Sequence, residues 1–195
     1  MSILNDKAIS ALAENDLFLP YFGSKQRQNE RGAKAISFGL SQCGYDISLS
    51  DKQFIVYDQS CHQPEGFVLD PKNFEDIGYQ ASLTETSDDS FFVLPARSMG
   101  LGISRELISM PTNTFAICQG KSTYGRCGLI ANILPIEPGW TGYLTMNLVN
   151  PTPFPIRLYA NEGIAQVIFY DCGEVGEAYS GHYQNQGAMV TTAAV

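Results

Sequence analysis

Short β-prone runs separated by turn-forming residues are the feature that most constrains the fold of this chain. Glycine, proline, asparagine and aspartate stand between the runs, so that each run has about the length of a single strand. The runs lie at residues 47–49, 54–57, 91–94, 99–103, 115–118, 129–134, 143–149, 156–159 and 164–170. Many short strands at regular spacing predict a mainly β, antiparallel barrel or sandwich.

One short helix is predicted near the N-terminus. Asn5 or Asp6 is placed to cap it, and an apolar face forms around Ile9 and Leu12. The polar residues 15–16 mark its end.

Three polar segments interrupt or follow the strand pattern. Residues 26–34 are charged and predict an exposed connection, and residues 70–90 form an acidic loop of the kind that a long insertion produces. Residues 179–195 are rich in glycine, glutamine and tyrosine and predict a mobile C-terminal arm. With 195 residues in all, we expect a single domain at 1–195 that includes this arm.

Composition argues against several classes of protein. The net charge of −8 and the pI near 4.6 argue against a nucleic-acid partner, because duplex binding needs a broad basic face. Five scattered cysteines and two isolated histidines offer no ligand set for zinc. Because no apolar run is as long as a membrane span and no leader is apparent, we expect a soluble, cytoplasmic protein without membrane contact.

A cationic turn stands out on this acidic background. It reads KSTYGR from Lys121 to Arg126 and holds two of the twelve lysines and arginines, and Arg157 is the only one that follows it. Arginine offers a planar fork for phosphate oxygens, lysine a point charge, and serine and threonine short neutral donors. The turn predicts a site for a small polyanion such as a nucleotide, with a solvated surface turn as the alternative.

The run at 143–149 alternates between apolar and polar residues. Leu144, Met146 and Leu148 alternate with Tyr143, Thr145 and Asn147. Because successive side chains of a strand point to opposite faces, one face suits a core and the other a polar cavity.

Five short motifs follow one another along the chain, in an order that is typical of one known protein family. They read GYDISL at 44–49, GKSTYGRCGL at 120–129, IEPGWTG at 136–142, NEGIAQ at 161–166 and YQNQG at 183–187. In these motifs the chain resembles the dCTP deaminase family of the trimeric dUTPase-like superfamily, over nearly its whole length. The resemblance implies a distorted β-barrel of the β-clip type, assembled as a homotrimer with three active sites between subunits. It also implies conversion of dCTP to dUTP and ammonia without zinc, with the triphosphate held together with Mg²⁺.

The resemblance also implies roles for individual residues. In the cationic turn, Lys121, Ser122 and Arg126 contact the phosphates and the reacting centre, with Thr123 beside them. The backbone from Thr145 through Met146 to Asn147 reads the cytosine edge. The nucleotide is covered by Gln166, Tyr179, Tyr183 and Gln186. For Gln166, which sits in an apolar strand, a neighbouring strand is an equally good partner.

One residue departs from the family pattern. Family deaminases carry a glutamate where this chain has Asn147. Without zinc, a protein group must take a proton from the attacking water, and an amide cannot act as a base near neutral pH. General acid–base help is typically worth roughly 10² to 10⁴ in rate.

Three hypotheses accommodate this substitution. Glu137, on the turn before the strand, replaces the missing base as an aspartate does in dUTPases, in which case hydrolysis of dUTP to dUMP survives better than deamination. Alternatively, Asn147 suits a modified pyrimidine or another leaving group. In the third hypothesis the protein binds deoxynucleotides without turnover, as a regulatory homologue. A dCTP deaminase-type enzyme is the leading interpretation, with a dUTPase-like diphosphatase and the non-catalytic homologue as alternatives.

Overall fold

Antiparallel strand pairing organises the chain in the computed structural model, which describes residues 2–15, 17–19, 22–61, 63 and 65–194. The two helices are α1 (Asp6–Ala13) and α2 (Ser122–Gly125). The first seven strands are β1 (Ser2–Ile3), β2 (Phe18–Leu19), β3 (Gln26–Gln28), β4 (Lys34–Ser41), β5 (Gly44–Tyr57), β6 (Tyr79–Gln80) and β7 (Thr84–Glu85). The remaining seven are β8 (Ser90–Leu94), β9 (Ser98–Ser109), β10 (Thr114–Gly120), β11 (Ile130–Asn132), β12 (Thr141–Asn150), β13 (Ile156–Tyr159) and β14 (Gly163–Asp171).

The strands form one large sheet and one small sheet. The large sheet has the order β1-β14-β5-β9-β12-β11, with β10 paired to β14, β4 to β5, β3 to β4, β2 to β9 and β6 to β5. The small sheet has the order β13-β8-β7. Each of these strand pairs is antiparallel. The predicted mainly β, antiparallel fold is confirmed.

Strand β5 unites two runs that the sequence separates. Its pairing with β9 shifts register between Leu49 and Phe54, and at such an irregularity a strand bends. The first part of β5 pairs with β4 and β14, and the second part pairs with β6 and β9. Because one strand serves both halves of the sheet, the sheet curls around a single core.

The core lies inside this curled sheet. Alternation along the strands supplies it, since every second residue of β12 from Leu144 to Leu148 is buried. The largest fully buried side chains are Tyr45, Phe54, Phe92 and Phe169, which come from β5, β8 and β14. These aromatic residues join elements that are distant in sequence.

Helix α1 begins and ends as the sequence predicts. The Asn5 side chain accepts the backbone N–H of Ala8 at 3.0 Å, and Ile9 is fully buried. Glu14 follows as the C-terminal cap, and Asp16 lies outside the described residues. None of the helices in the described parts of the chain is long and apolar enough to cross a membrane.

Residues 26–34 are mostly exposed, as predicted, but they form a hairpin between β3 and β4 that the sequence did not predict. Asn29 holds its turn: its side-chain oxygen accepts the N–H groups of Arg31 and Ala33, at 3.1 Å and 3.0 Å. The amide nitrogen of Asn29 donates to the Asp88 carbonyl at 2.8 Å. These contacts stabilise a polar hairpin that hydrophobic patterning does not reveal.

Glu106 is a buried carboxyl group in β9 that makes the stability of this fold depend on pH. Both its oxygens face the Ser48 N–H, at 3.2 Å and 3.0 Å. Burial raises the pKa of Glu106 from 4.5 to about 7, and the hydrogen bond from the Ser48 N–H lowers it by a smaller amount. The folded state therefore holds a proton that the unfolded chain releases near pH 4.5.

We therefore expect the contribution of Glu106 to the free energy of unfolding to be greatest below pH 4.5 and to fall by roughly 3 kcal/mol as the pH rises through about 7. Glu106→Gln removes this dependence because an amide does not titrate. Urea unfolding at several pH values measures it, with Glu14→Gln on the exposed end of α1 as the control. Equal pH slopes for wild type and Glu106→Gln contradict the assignment.

Candidate functional site

A cavity of about 370 Å³ opens beside the polar face of β12. The turn before the strand, the strand itself and the C-terminal residues up to 193 surround it. Six of the predicted site residues line this cavity: Glu137, Thr145, Asn147, Tyr179, Tyr183 and Gln186. The fold thus brings together the residues that were predicted for the base and the covering arm.

Strand β12 divides its side chains between the core and the cavity. Thr145 and Asn147 line the cavity, whereas Met146 between them is fully buried in the core. The backbone of Met146 pairs with Gly102 of β9. Of the three residues predicted to read the cytosine edge, Thr145 and Asn147 therefore line the cavity with their side chains, whereas Met146 packs in the core beneath them.

Asn147 carries an unsatisfied acceptor. Its Oδ1 atom is buried, and among the described residues it has no hydrogen-bond partner. An unpaired buried acceptor costs about 1–3 kcal/mol, so a ligand that donates a hydrogen bond there recovers this energy. The atom is well placed to meet an N–H group of a bound molecule.

Apolar side chains also line the cavity beside this polar face, and they were only partly foreseen. Phe74 lines the cavity together with Met99 and Leu101 of β9. The ring of Phe74 lies edge-on to Tyr57 with centroids 6.3 Å apart, and the Tyr57 hydroxyl donates to Asp76 at 2.9 Å. The acidic segment at 70–90 thus contributes a residue to the cavity lining. The sequence feature that could have indicated this role is an aromatic side chain, Phe74, in a polar loop.

The C-terminal segment follows the beginning of β12. The Tyr143 N–H donates to the Gln186 carbonyl at 2.9 Å, and the Asn185 N–H donates to the Thr141 carbonyl at 2.8 Å. The Gln186 amide donates to the hydroxyl of Thr145. Residues 185–186 therefore close one side of the cavity.

Two further contacts anchor the same segment. The Trp140 indole N–H donates to the Tyr183 carbonyl at 2.7 Å. The Gln184 side chain accepts the Thr141 N–H at 2.9 Å and donates to the Gly139 carbonyl at 2.9 Å. Trp140 is buried and serves packing, as its place in a tight turn indicates. Gln184 was not singled out from the sequence, because a single glutamine in a polar arm carries no pattern.

The cationic turn lies apart from the cavity. Residues 121–126 form α2 and its flanks, and none of them lines the cavity. The Lys121 ammonium is 2.6 Å from the buried carboxylate of Asp46, so the charge of Lys121 is already balanced. Ser122, Thr123 and Arg126 are exposed, and Arg126 has no ion pair within the described residues. A single chain does not unite the two halves of the predicted site.

Gln166 takes the second of its two open alternatives. Its amide donates to the Ser41 hydroxyl on β4 at 3.0 Å, and its backbone pairs with Asp46. It does not line the cavity. In this structure Gln166 supports the strands behind the cationic turn.

The charge of the cavity is small. Glu137 is exposed at its rim and is the one carboxylate among the described residues that line it; no lysine or arginine lines it. The cavity suits a neutral ring, such as a pyrimidine with its sugar, better than a polyanion. A triphosphate attached to such a ring needs cations from elsewhere.

Comparison with known proteins shows the family of this chain. The family model described as dCTP deaminase-like matches residues 3–172. The chain belongs to the dCTP deaminase-like family. Its relatives include a dCTP deaminase of Protochlamydia amoebophila (strain UWE25), 40% identical over 190 residues and covering 95% of this chain and 96% of the relative. A dCTP deaminase of Acidithiobacillus ferrooxidans (strain ATCC 53993 / BNL-5-31) is 38% identical over 193 residues and covers 97% of each chain.

A solved structure of this family supports the fold. The crystal structure of 2'-deoxycytidine 5'-triphosphate deaminase from Agrobacterium tumefaciens matches with a TM-score of 0.57 and 18% identity. The match covers 86% of this chain and 46% of that longer chain. The predicted membership of the family is confirmed by the sequence matches, and the structural match supports the fold.

Gly142 is a position where the C-terminal segment approaches β12 closely. A Cβ atom there would lie 2.8 Å from the Gln186 nitrogen and 3.0 Å from the Trp140 ring. We expect Gly142→Ala to displace the segment and to raise amide hydrogen exchange at Tyr143 and Asn185 by about tenfold. A decrease of about 1.4 kcal/mol in the free energy of local opening corresponds to that factor. Hydrogen exchange measures this.

Gly187→Ala is the matched control, because nothing lies within 4 Å of a Cβ atom at that position. Unchanged exchange in Gly142→Ala contradicts the close packing of the segment.

Proposed function

We propose that this protein deaminates dCTP to dUTP and ammonia, as a cytoplasmic enzyme of pyrimidine deoxynucleotide metabolism. The observation that carries the proposal is the buried, unpaired Oδ1 of Asn147 in a cavity of about 370 Å³. The 4-amino group of cytosine is a donor that suits this acceptor. Family membership supports the same substrate, because the named relatives are dCTP deaminases.

In this proposal Glu137 is the general base. Deamination adds water to C4 and releases ammonia, so a protein group must accept the proton of the water and a proton must reach the leaving nitrogen. Asn147 cannot do this, because an amide does not ionise near neutral pH. Glu137 is the one carboxylate among the described residues lining the cavity, and its side chain has no described partner that would hold it away.

Mg²⁺ enters the proposal with the triphosphate. Mg²⁺ keeps several waters and is usually bound through substrate phosphates and one or two carboxylates. The described residues contain no cluster of three or more histidine, cysteine, aspartate or glutamate side chains for a protein-held ion. A cation carried by the nucleotide fits this donor set, and it would neutralise phosphate charge.

The proposed assembly is a homotrimer whose sites lie between subunits. It is supported by the separation of the neutral cavity from the cationic turn within one chain. A second copy would bring Ser122 and Arg126 to the phosphates of a nucleotide whose base lies in the cavity. Arginine is suited to this role because its fork binds phosphate oxygens in pairs.

Two other functions are favoured by specific observations. Glu137 on the turn before β12 favours a dUTPase-like diphosphatase that forms dUMP from dUTP. The amide at Asn147 favours a non-catalytic homologue that binds deoxynucleotides and regulates another activity. Both functions retain the cavity and the cationic turn, and they differ from deamination only in the reaction that the bound nucleotide undergoes.

Product analysis after incubation with dCTP or dUTP and Mg²⁺ separates the three functions. We expect dUTP and ammonia from dCTP, and their absence refutes deamination. Formation of dUMP from dUTP favours the diphosphatase, and binding without turnover favours the regulatory homologue.

Glu137→Gln should lower the deamination rate by roughly 10² to 10⁴, since it removes the general base. Asn147→Glu should raise it, because it adds a group that can take up and return a proton.

Glu177→Gln is the matched control for these substitutions. It removes an exposed carboxylate near the same segment but outside the cavity lining, and should leave the rate unchanged. If Glu137→Gln turns over dCTP as fast as Glu177→Gln, another group is the base.

Mixing two inactive variants tests the shared site. Arg126→Ala removes a phosphate contact and Glu137→Gln removes the proposed base, so neither homotrimer should be active. In randomly reassembled trimers one interface of each mixed trimer is intact, which gives about a quarter of the wild-type activity. Each variant unfolded and reassembled alone is the control. No recovery in the mixture means that each chain builds its own site.

A further inference from the structure

A basic groove lies between the β3–β4 hairpin and the cationic turn. It has a volume of about 540 Å³, and Lys25, Arg27, Lys34 and Thr123 are among the residues that line it. With Lys121 and Arg126 of the neighbouring turn, five of the twelve lysines and arginines belong to this region. On a chain with net charge −8, this concentration of positive charge is local and specific.

Two of the groove cations are without an ion-pair partner among the described residues. Arg27 and Lys34 are exposed and make no ion pair within the described part of the chain. Lys25 is 3.7 Å from Asp46, a carboxylate that Lys121 already contacts at 2.6 Å. By contrast, Arg31 on the same hairpin is paired with Glu85 at 3.1 Å.

The acids of the groove are occupied by other groups. Glu162 is buried, and its Oε2 accepts the Ile36 N–H at 2.7 Å. Its Oε1 accepts the Asn29 amide at 3.4 Å, and burial raises the pKa of Glu162. The Asp89 carboxylate faces the Asn29 amide at 3.3 Å. The groove therefore keeps a positive character although two carboxyl groups line it.

Neutral donors complete the lining. Thr123 and Tyr159 both line the groove, and their hydroxyl groups have no hydrogen-bond partner among the described residues. A guanidinium, an ammonium and free hydroxyls around one open volume are the groups that recognise phosphate oxygens.

We propose that this groove is a polyphosphate-binding site, in which Arg27 and Lys34 are the principal contacts. The ligand chemistry is a chain of phosphates, either the terminal part of a nucleotide bound at the cationic turn or a separate phosphate compound. The site adds contacts that the family resemblance does not place on this hairpin. It concerns anion binding alone, so it stands whether or not the protein deaminates dCTP.

Calorimetric titration of the full-length protein with inorganic triphosphate at low ionic strength tests the site. The double variant Arg27→Ala/Lys34→Ala should bind inorganic triphosphate about tenfold more weakly, because two charge-assisted contacts are lost. Lys7→Ala/Lys72→Ala is the matched control: it removes the same charge from exposed positions outside the groove and should bind as wild type does. Equal affinity in the two double variants overturns the proposal.

Nucleotides distinguish the two sources of the phosphate chain. If the groove holds the end of a nucleotide triphosphate, dCTP displaces inorganic triphosphate and the groove variant weakens dCTP binding more than dCMP binding. If it holds a separate compound, inorganic triphosphate still binds when dCTP is saturating. Both results support a polyphosphate site.

Sedimentation of the same variants excludes a different use of the groove. A polyphosphate site leaves the oligomeric state of Arg27→Ala/Lys34→Ala unchanged. If this variant dissociates while its affinity for inorganic triphosphate stays at the wild-type value, the groove is a contact between copies of the chain and the proposal is wrong.

Discussion

The fixed register of β12 is the constraint on which the cavity depends. The strand pairs with β9 on one side and with β11 on the other, so it cannot shift by one residue without exchanging its two faces. In this register Met146 and Leu148 complete the core, while Thr145 and Asn147 meet the cavity. The C-terminal segment then uses the start of the same strand as its support. Strand β12 thus positions core side chains, part of the cavity lining and the C-terminal segment.

A second constraint is the separation of charge. The buried pair between Lys121 and Asp46 ties the cationic turn to β5, because a carboxylate buried without a cation is strongly destabilising. The pair therefore holds the turn against β5, and none of residues 121–126 lines the cavity. In the proposed trimer, two copies together would supply the neutral cavity and the cations that a ligand with a neutral ring and an anionic tail needs. This is the physical reason why assembly and function are linked in the proposal.

Local patterns in the sequence predict most of the fold, whereas the remaining features depend on contacts between distant segments. The cap at Asn5 and the alternation of β12 are local, so they were predicted correctly. The β3–β4 hairpin was missed because the Asn29 side chain stabilises it through Asp88, 59 residues away. The Lys121–Asp46 pair spans 75 residues, and no spacing rule joins them. For the site, the family motifs pointed to the cavity residues, whereas Phe74 and the groove cations lie outside those motifs.

The substitution at Asn147 separates recognition of the base from chemistry on it. In the proposed site, the Asn147 amide offers a donor and an acceptor at the position where the family resemblance implies a carboxylate, so hydrogen bonding to a pyrimidine edge would survive the exchange. Proton transfer does not survive, because the amide has no accessible second protonation state. The rest of the cavity is built as a binding site, with a neutral lining and a single carboxylate at Glu137. In the proposed mechanism, turnover therefore rests on this carboxylate accepting the proton of the attacking water, while the rest of the fold holds the nucleotide in place.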